Sequence, residues 1–215
     1  MKPLVVVLSS PSGGGKTTIA QRVVTERKDA GYSVSATTRS PRPGEQEGRE
    51  YHFLSTDEFA RRVDEGEFLE HAEYNGNRYG TLEQEVRRVT QNGQHVLLDI
   101  EVVGARLVRE RFPEAVLIFV VPPSGRVLAE RLRSRGTESE AIIAARLERA
   151  IDELAAAVEY DYLVVNDELE DAVRVVHSIL DVESRRTSRQ RSTPVLFDRL
   201  RSEVTAEIAR LTAPR

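Results

Sequence analysis

The sequence predicts an α/β fold in which helices pack against a parallel β-sheet, and two observations support this. Short apolar runs, several of them rich in β-branched residues, recur at 4–8, 95–100, 115–121 and 162–165. Runs of this kind are typical of strands buried on both faces. Helical patterns lie between and after them, at about 16–28, 102–111, 125–133, 138–158 and 169–183. Strands that alternate with helices predict a parallel sheet with right-handed crossovers.

A region of different character interrupts this alternation between residues 33 and 93. It mixes alternating polar and apolar residues with Pro and Gly turns, which predicts a small mixed α+β insertion. Within it, Ser55-Thr56-Asp57-Glu58 has the pattern of a capping box that opens a short helix. We therefore expect a core made of about 4–32 and 94–183, with 33–93 inserted between its two parts.

Composition excludes several classes of protein. The chain has 215 residues, of which 40% are hydrophobic and 31% charged, as in a globular rather than a disordered or collagen-like protein. It has no Cys, which excludes disulfides, zinc–thiolate sites, iron–sulfur clusters and cysteine nucleophiles. The first apolar run, Leu4–Leu8, is too short to span a bilayer or to serve as a signal peptide. We therefore expect a cytoplasmic protein of enzyme size without a membrane partner.

Charge is distributed unevenly along the chain. The formal net charge is −4, but the segment from Arg185 onward carries eight Arg and three acidic residues, a net of +5. The rest of the chain therefore has a net charge of −9. Because an acidic surface repels the phosphates of nucleic acids, no specific nucleic-acid partner is expected. The basic segment 184–215 is expected to form a separate C-terminal tail.

The first strand is followed by Ser10-Pro-Ser-Gly-Gly-Gly-Lys-Thr17, a segment typical of a phosphate-binding loop. Its last three residues match the pattern G-x-x-x-x-G-K-[ST], although Ser10 stands where the first Gly is expected. Consecutive glycines let backbone N–H groups approach a phosphate, and the following helix N-terminus adds a positive dipole end. An ordinary glycine-rich turn is the alternative, but the strand before the segment and the helix after it favour the phosphate loop.

The phosphate loop predicts a nucleoside triphosphate site. The residues expected to bind ATP there are Ser12, Gly13, Gly14, Gly15, Lys16, Thr17 and Thr18. Lys16 would reach the β- and γ-phosphates, and the Thr17 hydroxyl would hold Mg²⁺. Asp99, at the end of the strand at 95–100, is the second expected Mg²⁺ ligand, partly through water. A carboxylate that caps the next turn is the alternative interpretation of Asp99.

Three further segments carry a resemblance to a known family. They read SVSATTRSPRPGEQEGREYHF, EFLEHAEYNGNRYGT and LLDIE, and they resemble segments of the guanylate kinases in order and spacing. The similarity extends from about Leu4 to Glu183. It implies a three-layer P-loop core, a GMP-binding insertion and a mobile helical lid. It also implies the reaction ATP + GMP → ADP + GDP, with Mg²⁺ as cofactor.

The resemblance assigns two sets of residues to GMP. Those that match ligands of the GMP phosphate are Arg39, Arg42, Tyr51 and Tyr79. Those that match positions around the guanine are Ser35, Glu70, Thr81 and Glu101. Two of these depart from the family pattern, because Thr81 is often Ser and Glu101 is often the shorter Asp. Arg78 also stands where a second aromatic residue is common.

These residue types suit the chemistry of GMP. Arg presents planar, forked donors that match phosphate oxygens. Guanine presents N1–H and N2–H donors on one edge, and a carboxylate such as Glu70 accepts both. Adenine presents an acceptor at N1 instead, so a buried carboxylate discriminates against it. Taken singly, each residue could be a surface charge or a half-buried sheet tyrosine, but their joint spacing favours a binding site.

A second resemblance concerns residues 131–148, which are similar to the lid of the family. Arg131, Arg135 and Arg146 match arginines that close over the ATP phosphates and act in catalysis, where they would neutralise the transferring phosphoryl group. Thr137 and Glu140 have the spacing of a helix cap. A charged helix face is the alternative interpretation of the arginines. Asn166, in the segment VVND, matches a residue near the adenine.

The tail predicts an amphipathic helix after a run of arginines. We expect this helix to dock on the body, and RNA binding, an allosteric phosphate site or an oligomer contact are the alternatives. A homodimer formed through its apolar stripe is a further hypothesis. Two alternative functions are a P-loop kinase of a phosphorylated sugar and a non-catalytic binding module of the same family. The guanine-binding residues argue against the first, and the presence of Lys16, Thr17 and Asp99 argues against the second.

Overall fold

The computed structural model describes residues 2–74, 76–134, 139–190 and 193–212. In chain order the elements are β1 (Val5–Ser9), α1 (Lys16–Glu26), β2 (Ala30–Tyr32), β3 (Ser35–Thr37), β4 (His52–Phe53), α2 (Thr56–Asp64), β5 (Phe68–Tyr74), β6 (Asn77–Leu82), α3 (Glu83–Gln91), β7 (His95–Asp99), α4 (Val102–Arg111), β8 (Val116–Val121), α5 (Gly125–Arg133), α6 (Glu140–Ala155), β9 (Tyr162–Val165), α7 (Leu169–Ser184) and α8 (Thr193–Thr212). Short 3₁₀ turns cover Ala156–Glu159 and Thr187–Arg189.

A parallel sheet of five strands, in the order β2-β7-β1-β8-β9, forms the centre of the molecule. Because successive side chains of a strand point to opposite faces, the sheet supplies two apolar layers. On one face Val6 and Leu8 pack with Ile19 of α1 and Val176 of α7. On the other, residues of β1 and β7 pack with apolar side chains of α3 and α4. This three-layer α/β arrangement confirms the predicted fold class.

A second sheet lies in the chain between β2 and β7. It has the order β4-β3-β6-β5, with β3 and β5 antiparallel to β6 and β4 parallel to β3. Its own apolar cluster includes Phe59 of α2 and Phe68 of β5, whose rings stack with centroids 4.4 Å apart. As the capping-box pattern predicts, the Ser55 hydroxyl accepts a hydrogen bond from the Glu58 backbone N–H at the start of α2.

Helices α5 and α6 pack against each other through Leu128, Leu132, Ile143 and Ala150. Helix α6 begins at Glu140, and the Ser139 hydroxyl accepts a hydrogen bond from the Ile142 backbone N–H at its start. The expected cap at Thr137 is therefore wrong, because the helix begins two residues later than predicted. Thr137 and the predicted lid residue Arg135 lie outside the described residues.

The C-terminal tail consists of an anchored turn and a helix exposed along its length. Arg189 is buried and forms an ion pair with Glu183 at 2.8 Å. Helix α8, by contrast, is exposed at every described side chain, so the expected docking on the body is wrong. The amphipathic pattern of α8 predicts a helix with one apolar face, but it does not specify which surface covers that face. None of the described helices is long and apolar enough to cross a membrane.

Candidate active site

The phosphate loop connects β1 to α1 at the carboxyl end of the central sheet. Gly13 and Gly15 have φ angles of +91° and +98°, in the left-handed region that side chains avoid. A Cβ atom on Gly15 would lie 2.2 Å from Asn166 Nδ2, and one on Gly14 would lie 2.7 Å from Ser10 Cβ. The glycines are therefore required by both conformation and space. Helix α1 begins directly after the loop, so its free N–H groups lie at the same place.

Lys16 meets two carboxylates beside the loop. Its Nζ atom lies 2.9 Å from Glu101 Oε1 and 3.6 Å from Asp99 Oδ1, and its side chain is only 14% exposed. Burial favours the neutral amine, but Glu101 and Asp99 outweigh it and hold the pKa of Lys16 above its usual range. The lysine therefore carries a positive charge next to the backbone N–H groups of the loop.

The structure places Glu101 differently from the sequence interpretation. The family resemblance puts this residue beside guanine, whereas here its Oε1 atom accepts a hydrogen bond from Lys16. Its Oε2 atom is buried and has no hydrogen-bond partner among the described residues. The added methylene of Glu relative to Asp extends the reach of the carboxylate toward the lysine. Glu101 therefore lies on the phosphate-loop side of the site in this structure.

The oxygen ligands expected for Mg²⁺ are close to this cluster. Asp99 ends β7, which pairs with β1, and Thr17 is exposed in the first turn of α1. The Tyr32 hydroxyl donates to Asp99 Oδ2 at 3.4 Å. In the described part of the chain, no three His, Cys, Asp or Glu residues form a cluster that could hold a metal ion. One carboxylate and one hydroxyl suit Mg²⁺, which takes few protein ligands and completes its shell with phosphate oxygens and water.

Asn166, which is far away in sequence, holds the loop backbone, and Arg131 in turn holds Asn166. Asn166, which is buried after β9, donates from Nδ2 to the Gly14 carbonyl oxygen at 2.9 Å, and Arg131 of α5 donates to the Asn166 carbonyl oxygen at 2.9 Å. The Arg131 Nη1 atom is buried without a hydrogen-bond partner in the described residues. The sequence interpretation placed Asn166 beside adenine, so its contact with the loop is an additional finding.

Glu153 of α6 is a site residue that sequence reasoning missed. Its Oε2 atom accepts a hydrogen bond from the Ser12 backbone N–H at 3.2 Å, across 141 positions of sequence. Burial, with the nearby Glu101 charge, raises the pKa of Glu153 to about 7, although the Ser12 N–H opposes this shift. A signal was present in the sequence, because Glu153 follows the buried Ala150 by three residues and thus places a charge on the apolar stripe of α6.

Three strands of the second sheet bring the expected guanine-binding residues together. Ser35 of β3 and Glu70 of β5 both pair with Thr81 of β6, one from each side. All three side chains are buried, and the Thr81 hydroxyl donates to Glu70 Oε1 at 2.7 Å. Burial raises the pKa of Glu70, although the hydrogen bonds from Thr81 oppose this. The arrangement is a buried polar cluster in which one oxygen of a carboxylate is held in place by a hydroxyl.

Three of the four residues expected at the GMP phosphate, Arg39, Tyr51 and Tyr79, form a neighbouring group. The rings of Tyr51 and Tyr79 meet edge to face at 6.0 Å, and the Arg39 guanidinium lies 5.3 Å from the Tyr51 ring. Burial raises the pKa of Tyr51 to about 12, with a further increase from Asp99, so its hydroxyl keeps its proton as a donor. Because the charges of Asp99 and Lys16 both act on Tyr51, this group lies close to the phosphate loop.

Glu45 is a second residue that sequence reasoning missed. Its two carboxylate oxygens accept from Arg39 Nη2 at 2.9 Å and from the Arg42 backbone N–H at 2.7 Å. Glu45 thereby fixes the loop that carries both arginines, while the Arg42 side chain is exposed. Its position in the turn after Pro43-Gly44 was the available signal, because acidic side chains often accept backbone N–H groups in turns.

Helix α6 also contacts the inserted second sheet. The Arg149 guanidinium of α6 lies 4.7 Å from the centre of the Tyr74 ring at the end of β5. Tyr74 in turn meets Tyr79 edge to face at 6.4 Å. Arg146, predicted for the ATP phosphates, lies one turn earlier on α6 and is partly buried. Helix α6 therefore contacts the phosphate loop through Glu153 and the insertion through Arg149.

Comparison with known proteins agrees with this geometry. The family model described as guanylate kinase matches residues 1–183. A guanylate kinase of Desulfitobacterium hafniense is 49% identical over 187 residues, which cover 87% of this chain and 94% of the relative. One from Synechocystis is 48% identical over 183 residues, covering 85% of this chain and 96% of the relative.

A solved structure gives the same result. The crystal structure of guanylate kinase from Anaplasma phagocytophilum superposes with a TM-score of 0.75 at 35% identity, covering 91% of this chain and 94% of that one. The region matched by the family model, residues 1–183, includes the phosphate loop, the second sheet and the helices that pack on them, and it ends before the tail. The chain therefore belongs to the guanylate kinase family.

Proposed function

We propose that this chain transfers the γ-phosphoryl group of ATP directly to GMP, giving ADP and GDP, in the cleft between the phosphate loop and the second sheet. The observation that carries the proposal is the pairing of two unlike sites. A glycine loop with a charged lysine lies next to an Arg–Tyr group and a buried carboxylate pocket. The first suits a polyphosphate, and the second suits a guanine monophosphate.

On the ATP side, backbone N–H groups of residues 12–15 and the helix N-terminus would surround the phosphates, with Thr17 and Thr18 in the first turn of α1. Lys16 is paired with Glu101 in this structure. It would leave this carboxylate and bind the β- and γ-phosphates of ATP, which are also anions. Asn166 would keep the loop in shape while contacting the adenine side. Arg131, Arg146 and Arg135 would neutralise the transferring phosphoryl group.

Thr17 and Asp99 would hold Mg²⁺ together with the nucleotide phosphates, partly through water. When bound, the ion neutralises charge on the phosphate oxygens of ATP. Both residues supply the oxygen ligands that Mg²⁺ prefers.

On the GMP side, Arg39, Arg42, Tyr51 and Tyr79 would bind the phosphate. The guanine edge would meet Glu70, with Ser35 and Thr81 beside it, whereas Glu101 is held by Lys16 on the phosphate-loop side. Since Glu70 is buried, an adenine that offers no donors to it would leave an unpaired carboxylate, which is costly. A general base is not required, because the acceptor is a phosphate oxygen that is already ionised near neutral pH.

A coupled assay of ADP release tests the proposal. With Mg-ATP, the wild type is compared on GMP, AMP, CMP, UMP and a sugar phosphate. We expect turnover with GMP alone, and a loss of at least about 100-fold in kcat/KM for Glu70→Ala. Glu73→Ala is the matched control, because Glu73 is exposed on the same strand. Turnover on the sugar phosphate, or GMP binding without turnover, would support one of the two alternative functions instead.

The exposed stripe of α8 supports a second, separate proposal, that two copies of this chain associate through their tails. Its apolar residues include Phe197, Leu200, Val204 and Ile208, and all are at least 42% exposed. Light scattering of the full chain and of a chain lacking 193–215 tests this. An unchanged ratio of measured to monomer mass after the deletion would exclude the tail as the contact.

A further inference from the structure

We propose that Gly104, in the first turn of α4, is a specificity-determining position for the base, because its missing side chain leaves the space occupied by the Glu70 carboxylate. The inference rests on the proposed function of Glu70 as the guanine acceptor. Gly104 itself would not touch the substrate, so it acts as a positioning residue through Glu70.

The geometry shows why glycine stands at this position. A Cβ atom on Gly104 would lie 2.5 Å from Glu70 Oε2 and 3.0 Å from Glu70 Cδ. These separations are far shorter than non-bonded contacts allow. The next nearest atom, Cδ1 of Ile100, is 3.4 Å away. The conflict is therefore almost entirely with the Glu70 carboxylate.

Backbone conformation does not explain this glycine. Gly104 is not among the described glycines with positive φ, and it lies within the regular helix Val102–Arg111. Glycine is unfavourable inside a helix because it loses the most backbone freedom on folding. The benefit of glycine at residue 104 must therefore come from the space it leaves, which Glu70 occupies.

Glu70 has little freedom to avoid an added methyl group. It is 6% exposed, and its Oε1 atom is held by the Thr81 hydroxyl at 2.7 Å. Thr81 on one side and Gly104 on the other thus determine the plane of the carboxylate. Guanine offers two parallel N–H donors, so a change of this plane would weaken one or both hydrogen bonds.

Steady-state kinetics with GMP and with IMP test the inference, because IMP differs from GMP in lacking the 2-amino group. For Gly104→Ala we expect KM for GMP to rise about tenfold and the preference for GMP over IMP to fall severalfold. KM for ATP should stay within about twofold of the wild-type value. The control is Gly125→Ala in the first turn of α5, where an added Cβ meets no described atom within 4 Å. It should leave all three quantities unchanged.

A double-mutant cycle separates this effect from general damage to the helix. In a Glu70→Ala background, Gly104→Ala should change kcat/KM for GMP by less than about twofold, because the conflicting side chain is absent. If Gly104→Ala alone does not fold, the double variant should recover a cooperative thermal unfolding transition. Three results would each overturn the inference. The first is an unchanged preference for GMP over IMP in a folded Gly104→Ala variant. The others are an equal loss of kcat/KM for GMP in the wild-type and Glu70→Ala backgrounds, and a double variant that does not recover folding. Absence of GMP turnover in the wild type would instead overturn the proposed function.

Discussion

The two halves of the cleft are built in different ways. The phosphate-loop side is made largely of backbone, from eight consecutive residues whose glycines have positive φ or no room for a Cβ atom. The proposed guanine side is made of side chains, and Ser35, Glu70 and Thr81 come from three strands that meet only through sheet register. The first site presents N–H groups and a charged lysine, and the second presents a buried carboxylate.

This difference determines what each half tolerates. A backbone site survives many side-chain replacements but not an added Cβ atom that moves the chain. A side-chain site depends on individual hydroxyl and carboxylate groups, and on the small residues that leave space for them. Mutations of opposite type should therefore damage the two halves selectively, and KM for ATP and KM for GMP report on them separately.

Of the variants that test this contrast, Gly15→Ala on the phosphate-loop side is expected to have the largest effect on activity. The added Cβ would lie 2.2 Å from Asn166 Nδ2, at a φ of +98°, so the loop would have to shift. Because a displacement of about 1 Å can cost about 100-fold in rate, we expect kcat/KM for ATP to fall by about that factor. Binding of GMP, followed by calorimetry without ATP, should change by less than about threefold.

Gly66→Ala is the matched control for this variant. Gly66 also has a positive φ, of +69°, but an added Cβ there meets no described atom within 4 Å. It therefore places an Ala residue at a positive φ without the collision. Equal losses of ATP activity in the two variants would show that an Ala residue at positive φ, and not the packing of Asn166, explains the effect.

A smaller effect is expected from Thr81→Val on the guanine side. Removing the hydroxyl takes away the side-chain donor to Glu70 Oε1 and leaves only the backbone of Thr81, which raises the pKa of Glu70 further and loosens the carboxylate. We expect KM for GMP to rise about tenfold, with KM for ATP unchanged. Steady-state kinetics with each substrate varied in turn provide the measurement.

Thr81→Ser should restore nearly wild-type kinetics, because it keeps the hydroxyl that donates to Glu70. Thr90→Val is a further control, since the Thr90 hydroxyl donates to a backbone carbonyl on α3 and not to a site residue. A rise of KM for ATP in Thr81→Val that matches the rise for GMP would contradict the independence of the two halves.

The same contrast explains how far the sequence could predict this molecule. The phosphate loop is contiguous, and α4 and α5 begin and end where the sequence pattern indicates. Family spacing also identified residues that the sheet register brings together, such as Glu70 and Thr81. The loop and the helices are predictable because their sequence patterns are local, and the sheet residues are predictable because long family motifs contain them.

Contacts between distant segments could not be predicted in this way. The hydrogen bond from Ser12 to Glu153 joins residues 141 positions apart, and the contact of Lys16 with Glu101 depends on side-chain reach. The exposure of α8 was also mispredicted, because an amphipathic pattern indicates a helix but not the surface that covers it. Periodicity specifies a face, whereas packing partners depend on the whole fold.

Glu153 connects α6 to the phosphate loop, and replacing it should give the smallest effect, a change in the pH dependence of stability. Its pKa is about 7 in the folded protein, against an ordinary value near 4.5, because burial favours the protonated form. The folded state therefore holds this proton more tightly than the unfolded state. That contribution to stability is complete at acidic pH and is lost as pH rises through about 7.

Glu153→Gln should remove this dependence, since the amide oxygen still accepts from the Ser12 N–H but does not ionise. Between pH 6 and pH 8 the wild type should lose about 1 kcal/mol of unfolding free energy that the Gln variant keeps. Urea unfolding at several pH values gives the comparison, and Glu148→Gln on the exposed face of α6 is the control. Parallel pH profiles for wild type and Glu153→Gln would mean that Glu153 is already ionised at pH 6. The connection of α6 to the phosphate loop would then be a charged hydrogen bond over the whole range.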